Sequence, residues 1–469
     1  MQISSQTARC AVVSRREWSV ARLAGACAVA AAVLFFPPPL RAQQAGKIAY
    51  DSYQLPNGLT VVLAEDHATP VVTVDVWYHV GSANETPHHS GFAHLFEHMM
   101  FQGSAHVKKG EHMQLVERAG GSMNGSTVDD RTNYFETLPS NRLNLGLWLE
   151  ADRLRSLAVT PENLDNQRKT VEEERRRGVD NQPYGRALLD ALTAPFDSAG
   201  CFAYAHSTIG EYRDLDSATV EQVRAFHAQY YAPNNAVLTI AGDFDPREAR
   251  SLVAQYFAGI PAVPPAPPVT CRYQIGAGAR TLTETDSNAT LPLVALIYKA
   301  PPERDADTPS LDLLSSILGD GESSRLNLSL VRSAQAAVSA GGFANAYREA
   351  GVLIFYAIDN QGVPATRVDS LLNAQMDGVR DDTVTTAELE KAKNQYRAGA
   401  IRDRQTTMGV AEALQGALWY DGSLAEANAD VARHLAVTAA DLQRVARRYL
   451  DPANRVTLIV NPPQKGAAQ

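Results

Sequence analysis

The feature of the sequence that most constrains the fold is an internal repeat. The segments TVEQVRAFHAQYYAPNNAVLTIAG and TAADLQRVARRYLDPANRVTLIVN each read as a helix with an N-terminal Thr cap, a proline-containing turn and an apolar strand. Four pairs of identical residues lie 219 positions apart: Thr219/Thr438, Tyr230/Tyr449, Pro233/Pro452 and Asn235/Asn454. The repeat predicts a duplicated domain of roughly 210 residues.

A proline-rich segment separates the two copies. Residues 259–270 read GIPAVPPAPPVT, and this density of proline is incompatible with a helix or a central strand. We therefore predict an N-terminal domain at residues 43–258, a linker at 259–274 and a C-terminal domain at 275–469.

Strand and helix patterns occur in separate runs within the first copy. LTVVLAED and VVTVDVWYHVG are typical of strands, with turns at Asn57-Gly58 and residues 67–70. Helices are predicted at residues 90–101, 111–119, 142–157 and 161–178. This arrangement indicates an α+β fold with two duplicated domains, each an antiparallel sheet with helices packed on it.

The N-terminal segment is typical of an export signal. Arg15, Arg16 and Arg22 precede the apolar run LAGACAVAAAVLFF, and LRAQQ around Ala42 resembles a small-residue cleavage site. The run is shorter than the ~20 residues that a membrane span needs. We predict a signal peptide at residues 1–42, a periplasmic location and no stable membrane anchor. SRREW leaves the twin-arginine route as the alternative to general secretion.

The charge of the chain excludes some classes of partner, and its cysteines limit the number of disulfides. The formal net charge is −9, and the predicted mature region contains no basic block, which argues against nucleic acid or anionic membrane as a main partner. Of the four cysteines, only Cys201 and Cys271 follow the predicted signal peptide. One disulfide is compatible with export, but the spacing alone leaves the pairing open.

The segment GFAHLFEHMMF carries the strongest indication of chemistry. On a helix, its apolar residues form one stripe, whereas His94, Glu97 and His98 lie on the opposite side. Two histidines at i and i+4 can ligate one tetrahedral metal, with the intervening carboxylate beside a bound water. The alternative interpretation is a solvated helix face.

A third ligand is expected in NLDNQRKTVEEERRRGVDNQPYG, where Thr160-Pro161 begins a helix. Glu173 projects away from the apolar side of this helix, whereas Glu172 and Glu174 flank it. Periodicity cannot choose between these two, and the EEERRR run is otherwise typical of a solvated, ion-paired face.

The chain resembles the pitrilysin, insulinase and mitochondrial-processing-peptidase family of inverted zincins, in its short two-domain bacterial form. The resemblance rests on HLFEHMMF, the Glu-rich helix, GGSMN at 120–124, NQPYG at 181–185 and YAPNNAVLTIAGDF. It implies that Glu174 is the third ligand of one Zn²⁺ per chain. Many members have a second Glu seven residues earlier, where this sequence has Gln167.

The expected activity is that of a zinc metalloendopeptidase. Zinc on His94, His98 and Glu174 would lower the pKa of a bound water to roughly 7, with Glu97 as general base. Substrate peptides would add as a strand along residues 120–138, as the resemblance implies, with Asn124 as the substrate contact. Asn124 can alternatively shape the turn, and His88 and His89 are interpreted as loop residues rather than ligands.

The second copy lacks the metal residues, because Leu313, Ser316 and Ile317 occupy the equivalent positions. In the family, the second-type domain supplies an Arg and a Tyr that bind substrate. Arg332 matches the Arg, but residues 337–339 contain no Tyr. We therefore predict a dimer, preferably with a related non-metal subunit. The alternatives are a non-catalytic scaffold or substrate-presenting subunit, or a metal storage or sensing protein.

Overall fold

The structure, a computed structural model, describes residues 46–463. The predicted signal peptide and its cleavage site lie outside the described residues. None of the helices within residues 46–463 has the length and apolar character needed to cross a membrane.

The first sheet has six strands in the order β1-β2-β6-β3-β5-β4. Its strands are β1 (Asp51–Gln54), β2 (Thr60–Glu65), β3 (Val71–Tyr78), β4 (Ser122–Thr127), β5 (Thr132–Pro139) and β6 (Ala236–Gly242). The predicted strands correspond to β2 and β3. The predicted Asn57-Gly58 turn joins β1 to β2, and Gly58 has the positive φ of 88° that such a turn favours.

The second sheet has five strands in the order β7-β11-β8-β10-β9, which repeats the first order without β1. Its strands are β7 (Arg280–Thr285), β8 (Leu293–Ala300), β9 (Ala337–Ala346), β10 (Gly351–Asp359) and β11 (Arg455–Asn461). The α+β prediction is confirmed, but the sheets are not purely antiparallel. β2 pairs with β6, and β7 with β11, in parallel. The two strands of each parallel pair are separated in sequence by the other three strands of the same sheet and several helices, a connection long enough to permit the parallel direction.

Fifteen α-helices accompany the two sheets within the described residues. Those before the proline-rich segment are α1 (Phe92–Met99), α2 (Glu111–Arg118), α3 (Leu143–Ser156), α4 (Pro161–Arg175), α5 (Gly185–Thr193), α6 (Ser198–Cys201), α7 (Tyr212–Ser217), α8 (Val220–Tyr230) and α9 (Pro246–Phe257). Those after it are α10 (Thr308–Gly319), α11 (Ala365–Asp381), α12 (Thr386–Asp403), α13 (Thr407–Tyr420), α14 (Glu426–Ala436) and α15 (Ala439–Tyr449). The four helices predicted in the first copy correspond to α1–α4, with ends shifted by up to three residues.

The repeated residues form the same helix caps and hydrogen bonds in both copies. Thr219 and Thr438 cap α8 and α15, as predicted. Asn235 Nδ2 donates to the carbonyl of Tyr230 at 2.8 Å, and Asn454 Nδ2 donates to the carbonyl of Tyr449 at 2.9 Å. Each Asn therefore ties the end of a helix to the start of the following strand, which explains why it recurs.

Each sheet is covered partly by helices from the other side of the proline-rich segment. Apolar residues of α13 and α14 pack on the first sheet in a cluster with Ile48, Val62, Ala64, Val237, Ala241, Ala411, Leu414, Ala417, Leu424 and Ala427. Ala187 and Ala191 of α5 belong to a cluster with residues of the second sheet, including Ile297. Residues 261–270, which form neither helix nor strand, connect the two sides. Cys201 and Cys271 form a disulfide.

Candidate metal centre

Helix α1 presents the His-x-x-Glu-His residues on one side and packs its other side into the core. Phe92, Leu95, Phe96, Met99 and Met100 are all buried, which confirms the predicted apolar stripe. His94, Glu97 and His98 are partly exposed. The helix thus aims its three polar side chains at a surface that solvent and other molecules can reach.

The start of α1 is fixed by a buried carboxylate that the sequence analysis did not identify. Glu85 accepts hydrogen bonds from the backbone N–H groups of Gly91 at 2.9 Å and Ala93 at 2.7 Å. It also lies 3.0 Å from Nε2 of His206. A negative charge at a helix N-terminus satisfies free N–H groups and complements the helix dipole. Glu85 therefore helps to set the position of the helix that carries the site.

Helix α4 brings Glu174 to the two histidines. Its Oε2 atom lies 3.6 Å from Nε2 of His94 and 3.3 Å from Nε2 of His98. The three side chains offer ligand atoms that all lie within 4.8 Å of one another. The structure therefore brings together the three residues predicted as ligands.

The neighbouring glutamates point elsewhere. Glu173 forms ion pairs with Arg176 and Arg177. Glu172 lies near Asp216 of α7, and its burial together with this like charge raises its pKa. Of the two glutamates that periodicity left open, Glu174 is the one that faces the histidines.

The donor set fits a zinc ion. Zinc bonds of about 2.0–2.2 Å to nitrogen and oxygen place the ligand atoms of a tetrahedral site about 3.3–3.6 Å apart. The two measured separations from Glu174 fall at this spacing. Two imidazoles and one carboxylate also leave a fourth position open, as catalytic zinc sites require.

Electrostatics in the metal-free site prepare His94 for ligation. Burial, with the nearby charge of His98, lowers the pKa of His94 to about 4, so its imidazole is neutral at physiological pH. Burial also acts to lower the pKa of His98, but the hydrogen bond and charge of Glu174 outweigh it and the pKa is raised. The hydrogen bond from His98 lowers the pKa of Glu174. Glu174 is therefore a carboxylate at neutral pH.

Glu97 is held by a threonine that the sequence analysis missed. Thr127 Oγ1, at the end of β4, donates a hydrogen bond to Oε2 of Glu97 at 2.7 Å. Burial raises the pKa of Glu97, and this hydrogen bond opposes the rise. A carboxylate with a raised pKa is a better match for proton transfer near neutral pH.

The remaining predicted residues lie outside this cluster. Asn124 is exposed on β4, at the edge of the first sheet, beside Phe135 of β5. Arg332 is half-exposed and pairs with Glu322 at 2.6 Å. His88 and His89 belong to the loop before α1, where His89 contacts Thr86 and Gln222.

A second cluster of potential ligands among the described residues consists of His112, Glu136 and Glu150, all buried. The guanidinium of Arg153 occupies it, with Nε 2.9 Å from Oε2 of Glu150 and Nη2 3.6 Å from Oε1 of Glu136. His112 Nε2 lies 2.8 Å from Oε1 of Glu136. The buried guanidinium of Arg153 already lies within ion-pair distance of both carboxyl groups, so we interpret the cluster as a charge network within the core.

Comparison with known proteins identifies the family of this chain. Residues 60–199 match the family described as Insulinase (Peptidase family M16), and residues 217–396 match the Peptidase M16 inactive domain. The zinc protease PqqE of Helicobacter pylori is 32% identical over 420 residues, covering 88% of this chain and 93% of its own length. This chain belongs to peptidase family M16.

Solved structures agree with M16 membership. A protease from Helicobacter pylori has a crystal structure with a TM-score of 0.84 and 30% identity, covering 89% of this chain and 100% of that one. The periplasmic protease PqqL of Escherichia coli, at 18% identity, shares the fold with a TM-score of 0.70. This M16 chain covers 47% of that longer protein.

Proposed function

We propose that the chain is an exported zinc metalloendopeptidase that hydrolyses peptide bonds in peptides or unfolded segments. The observation that carries the proposal is the convergence of His94, His98 and Glu174, with the carboxylate of Glu97 beside them. The relatives named as zinc proteases support the choice of metal. The domain boundaries predicted from the sequence, 43–258 and 275–469 with a linker at 259–274, form part of the proposal.

Glu97 is proposed as the general base. When bound, zinc supplies Lewis acidity that polarises a carbonyl and makes water more acidic. Glu97 accepts the proton of the attacking water and later returns it to the leaving amine. Thr127 orients the carboxylate through Oε2, which leaves Oε1 free for the proton.

Strand β4 is the proposed binding edge for substrate. It is the outermost strand of the first sheet, and its last residue, Thr127, contacts the general base. An extended peptide paired with this edge would gain affinity from its backbone without a demand for one sequence. Asn124 is exposed on the same strand and is proposed to contact the peptide.

Variants of the three successive glutamates test the metal site. Glu174→Ala should lose zinc, because the third ligand is removed, whereas Glu172→Ala and Glu173→Ala should retain one zinc per chain. Metal content of the purified variants, measured by inductively coupled plasma mass spectrometry, gives the answer. Zinc loss in Glu172→Ala with retention in Glu174→Ala would overturn the assignment. A wild-type chain without zinc or hydrolysis would instead support the scaffold alternative.

Export to the periplasm is proposed from the N-terminal sequence. The Cys201–Cys271 disulfide is consistent with an oxidising compartment. The periplasmic protease PqqL shares the fold, although its location belongs to that protein.

A related subunit is the proposed partner. Arg332 is paired with Glu322, and β9 begins Ala337, Val338, Ser339, so no phenol is present where the family resemblance predicts one. PqqL is about twice as long as this chain, which is consistent with a functional unit that contains two such chains.

The partner proposal predicts that the isolated chain turns over peptides slowly and that a related non-metal subunit increases the rate. Light scattering gives the mass of each species, and hydrolysis of an internally quenched fluorescent peptide gives the rate. The same peptide with the partner alone is the control. Efficient turnover by a monomer or homodimer, with no gain on adding the partner, would contradict it.

A further inference from the structure

The turn between β4 and β5, residues 128–131, is held by side chains and backbone from distant parts of the chain. The carboxylate of Asp130 accepts hydrogen bonds from the backbone N–H of Arg348 at 2.8 Å and from the hydroxyl of Tyr204 at 2.7 Å. Its backbone carbonyl accepts a hydrogen bond from Nε1 of Trp419 at 3.1 Å. Asp130 is only 4% exposed, so these bonds are shielded from water.

Trp419 is itself fixed between two side chains. The imidazole of His79 stacks on its ring at 3.6 Å between centroids, and the guanidinium carbon of Arg348 lies 3.6 Å from the ring centroid. Trp419 belongs to α13, and Arg348 lies in the turn between β9 and β10. These two residues come from the part of the chain that matches or follows the inactive domain.

The hydrogen bond between Arg348 and Asp130 joins equivalent hairpins of the two sheets. In the shared strand order, β9 and β10 occupy the positions of β4 and β5. The two hairpins therefore meet at their turns, where Arg348 N–H donates to Asp130. Backbone N–H of Ala83 adds a further bond to the carbonyl of Asp129 at 2.8 Å.

The other end of this connection is Glu97. Thr127 is the last residue of β4, three positions before Asp130, and pairs with Thr132 across the hairpin. Its hydroxyl lies 3.3 Å from that of Thr132 and donates to Glu97 at 2.7 Å. Because β4 and β5 are paired from Ser122 to Thr127, we expect a displacement of the turn to change the direction of the Thr127 hydroxyl.

We propose that the half of the chain without metal ligands positions the general base within the same chain. Trp419 and Arg348 hold the turn at Asp130, the hairpin holds Thr127, and Thr127 orients Glu97. Trp419 is a positioning residue in this scheme, since it acts through its contact with Asp130. The inference rests on the proposed peptidase function.

Trp419→Phe removes the indole donor but retains an aromatic ring between His79 and Arg348. We expect kcat to fall about fivefold, because loss of one net hydrogen bond of about 1 kcal/mol corresponds to this factor. KM for an internally quenched fluorescent peptide and the zinc content should not change. Asp130→Asn leaves that backbone contact in place but weakens the side-chain contacts that hold the same turn to Arg348 and Tyr204, and it should lower kcat in the same way.

Gln415→Met is the matched control on the same helix. Gln415 Nε2 donates to the carbonyls of Asp75 at 3.2 Å and Val237 at 3.1 Å, near the middle of the first sheet. Its replacement removes contacts between α13 and the sheet without affecting the turn. Stability should fall, but kcat should remain at the wild-type value. An equal loss of kcat in the control would overturn the proposal.

A double-mutant cycle with Thr127→Val tests the route to Glu97. If Trp419 acts through Thr127, the two substitutions together should lower kcat no further than Thr127→Val alone. In a Thr127→Ser background, which keeps the hydroxyl, Trp419→Phe should again lower kcat. Fully additive effects would show that Trp419 does not act through Thr127.

Amide hydrogen exchange provides a measurement that does not depend on turnover. Peptic fragments within residues 122–135 should exchange faster in Trp419→Phe than in Gln415→Met or the wild type. Equal exchange in all three proteins would overturn the inference. An inactive wild type with the expected exchange pattern would instead refute the peptidase function. It would still support the conclusion that Trp419 holds the turn between β4 and β5.

Discussion

Glu97→Gln is expected to lower kcat by on the order of 10³-fold while the zinc content stays unchanged, because an amide cannot accept the proton of the attacking water. The substitution preserves the shape of the side chain, and the amide oxygen can still accept the hydrogen bond from Thr127. His94, His98 and Glu174 remain in place to bind the metal. Loss of activity should therefore reflect loss of the base alone.

Steady-state hydrolysis of a quenched fluorescent peptide and metal analysis of the same samples measure the two properties. Glu173→Gln is the matched control, since it makes the same chemical change on α4 in a residue paired with Arg176 and Arg177. The control should retain full activity. Wild-type turnover by Glu97→Gln would exclude the proposed mechanism.

Arg153→Met should destabilise the protein by about 3–5 kcal/mol, the usual cost of leaving a buried charge without its partner. The Arg153 side chain is 2% exposed, and its guanidinium pairs with Glu150 and lies near Glu136. It also lies 4.4 Å from the ring centroid of Tyr134. Without it, two fully buried carboxylates would face each other and His112 with no permanent cation.

Chemical denaturation followed by circular dichroism measures this loss in the free energy of unfolding. Arg155→Met is the control two positions along α3, where the side chain is exposed and donates to the carbonyl of Tyr256. It should cost less than about 1 kcal/mol. Adding Glu150→Gln to Arg153→Met should recover part of the loss, because burial raises the pKa of Glu150 well above its usual range. A small effect of Arg153→Met would contradict the interpretation of the network.

Local pattern was sufficient for α1–α4 and for the residues that recur between the copies. The apolar stripe of α1 and the Thr caps depend on neighbours within a few positions, so the local sequence is enough to predict them. Local pattern could not choose between Glu172 and Glu174 as the third ligand. Both flank the same stripe, and only the packing of α4 against α1 directs Glu174 to the histidines.

The contacts that support the site depend on long-range arrangement. Thr127 reaches Glu97 because β4 lies beside α1, and no periodicity within SMNGST indicates this. Glu85 caps α1 through a loop and lies before its N-terminal glycine, outside the usual capping position. The parallel pairing of β2 with β6 joins strands separated by well over a hundred residues, so the local alternation could not predict its direction.

The reciprocal covering of the sheets affects how the chain would respond to proteolysis. A cut within residues 261–270 would leave the two fragments joined by the Cys201–Cys271 disulfide, with α13 still packed on Val62, Ala64 and Val237, and α5 on the second sheet. Even after reduction of this disulfide, the two fragments should remain associated rather than separate into an active piece and an inactive one. Expressed alone, either fragment would expose an apolar sheet face to water and aggregate. We therefore expect neither half to fold stably on its own.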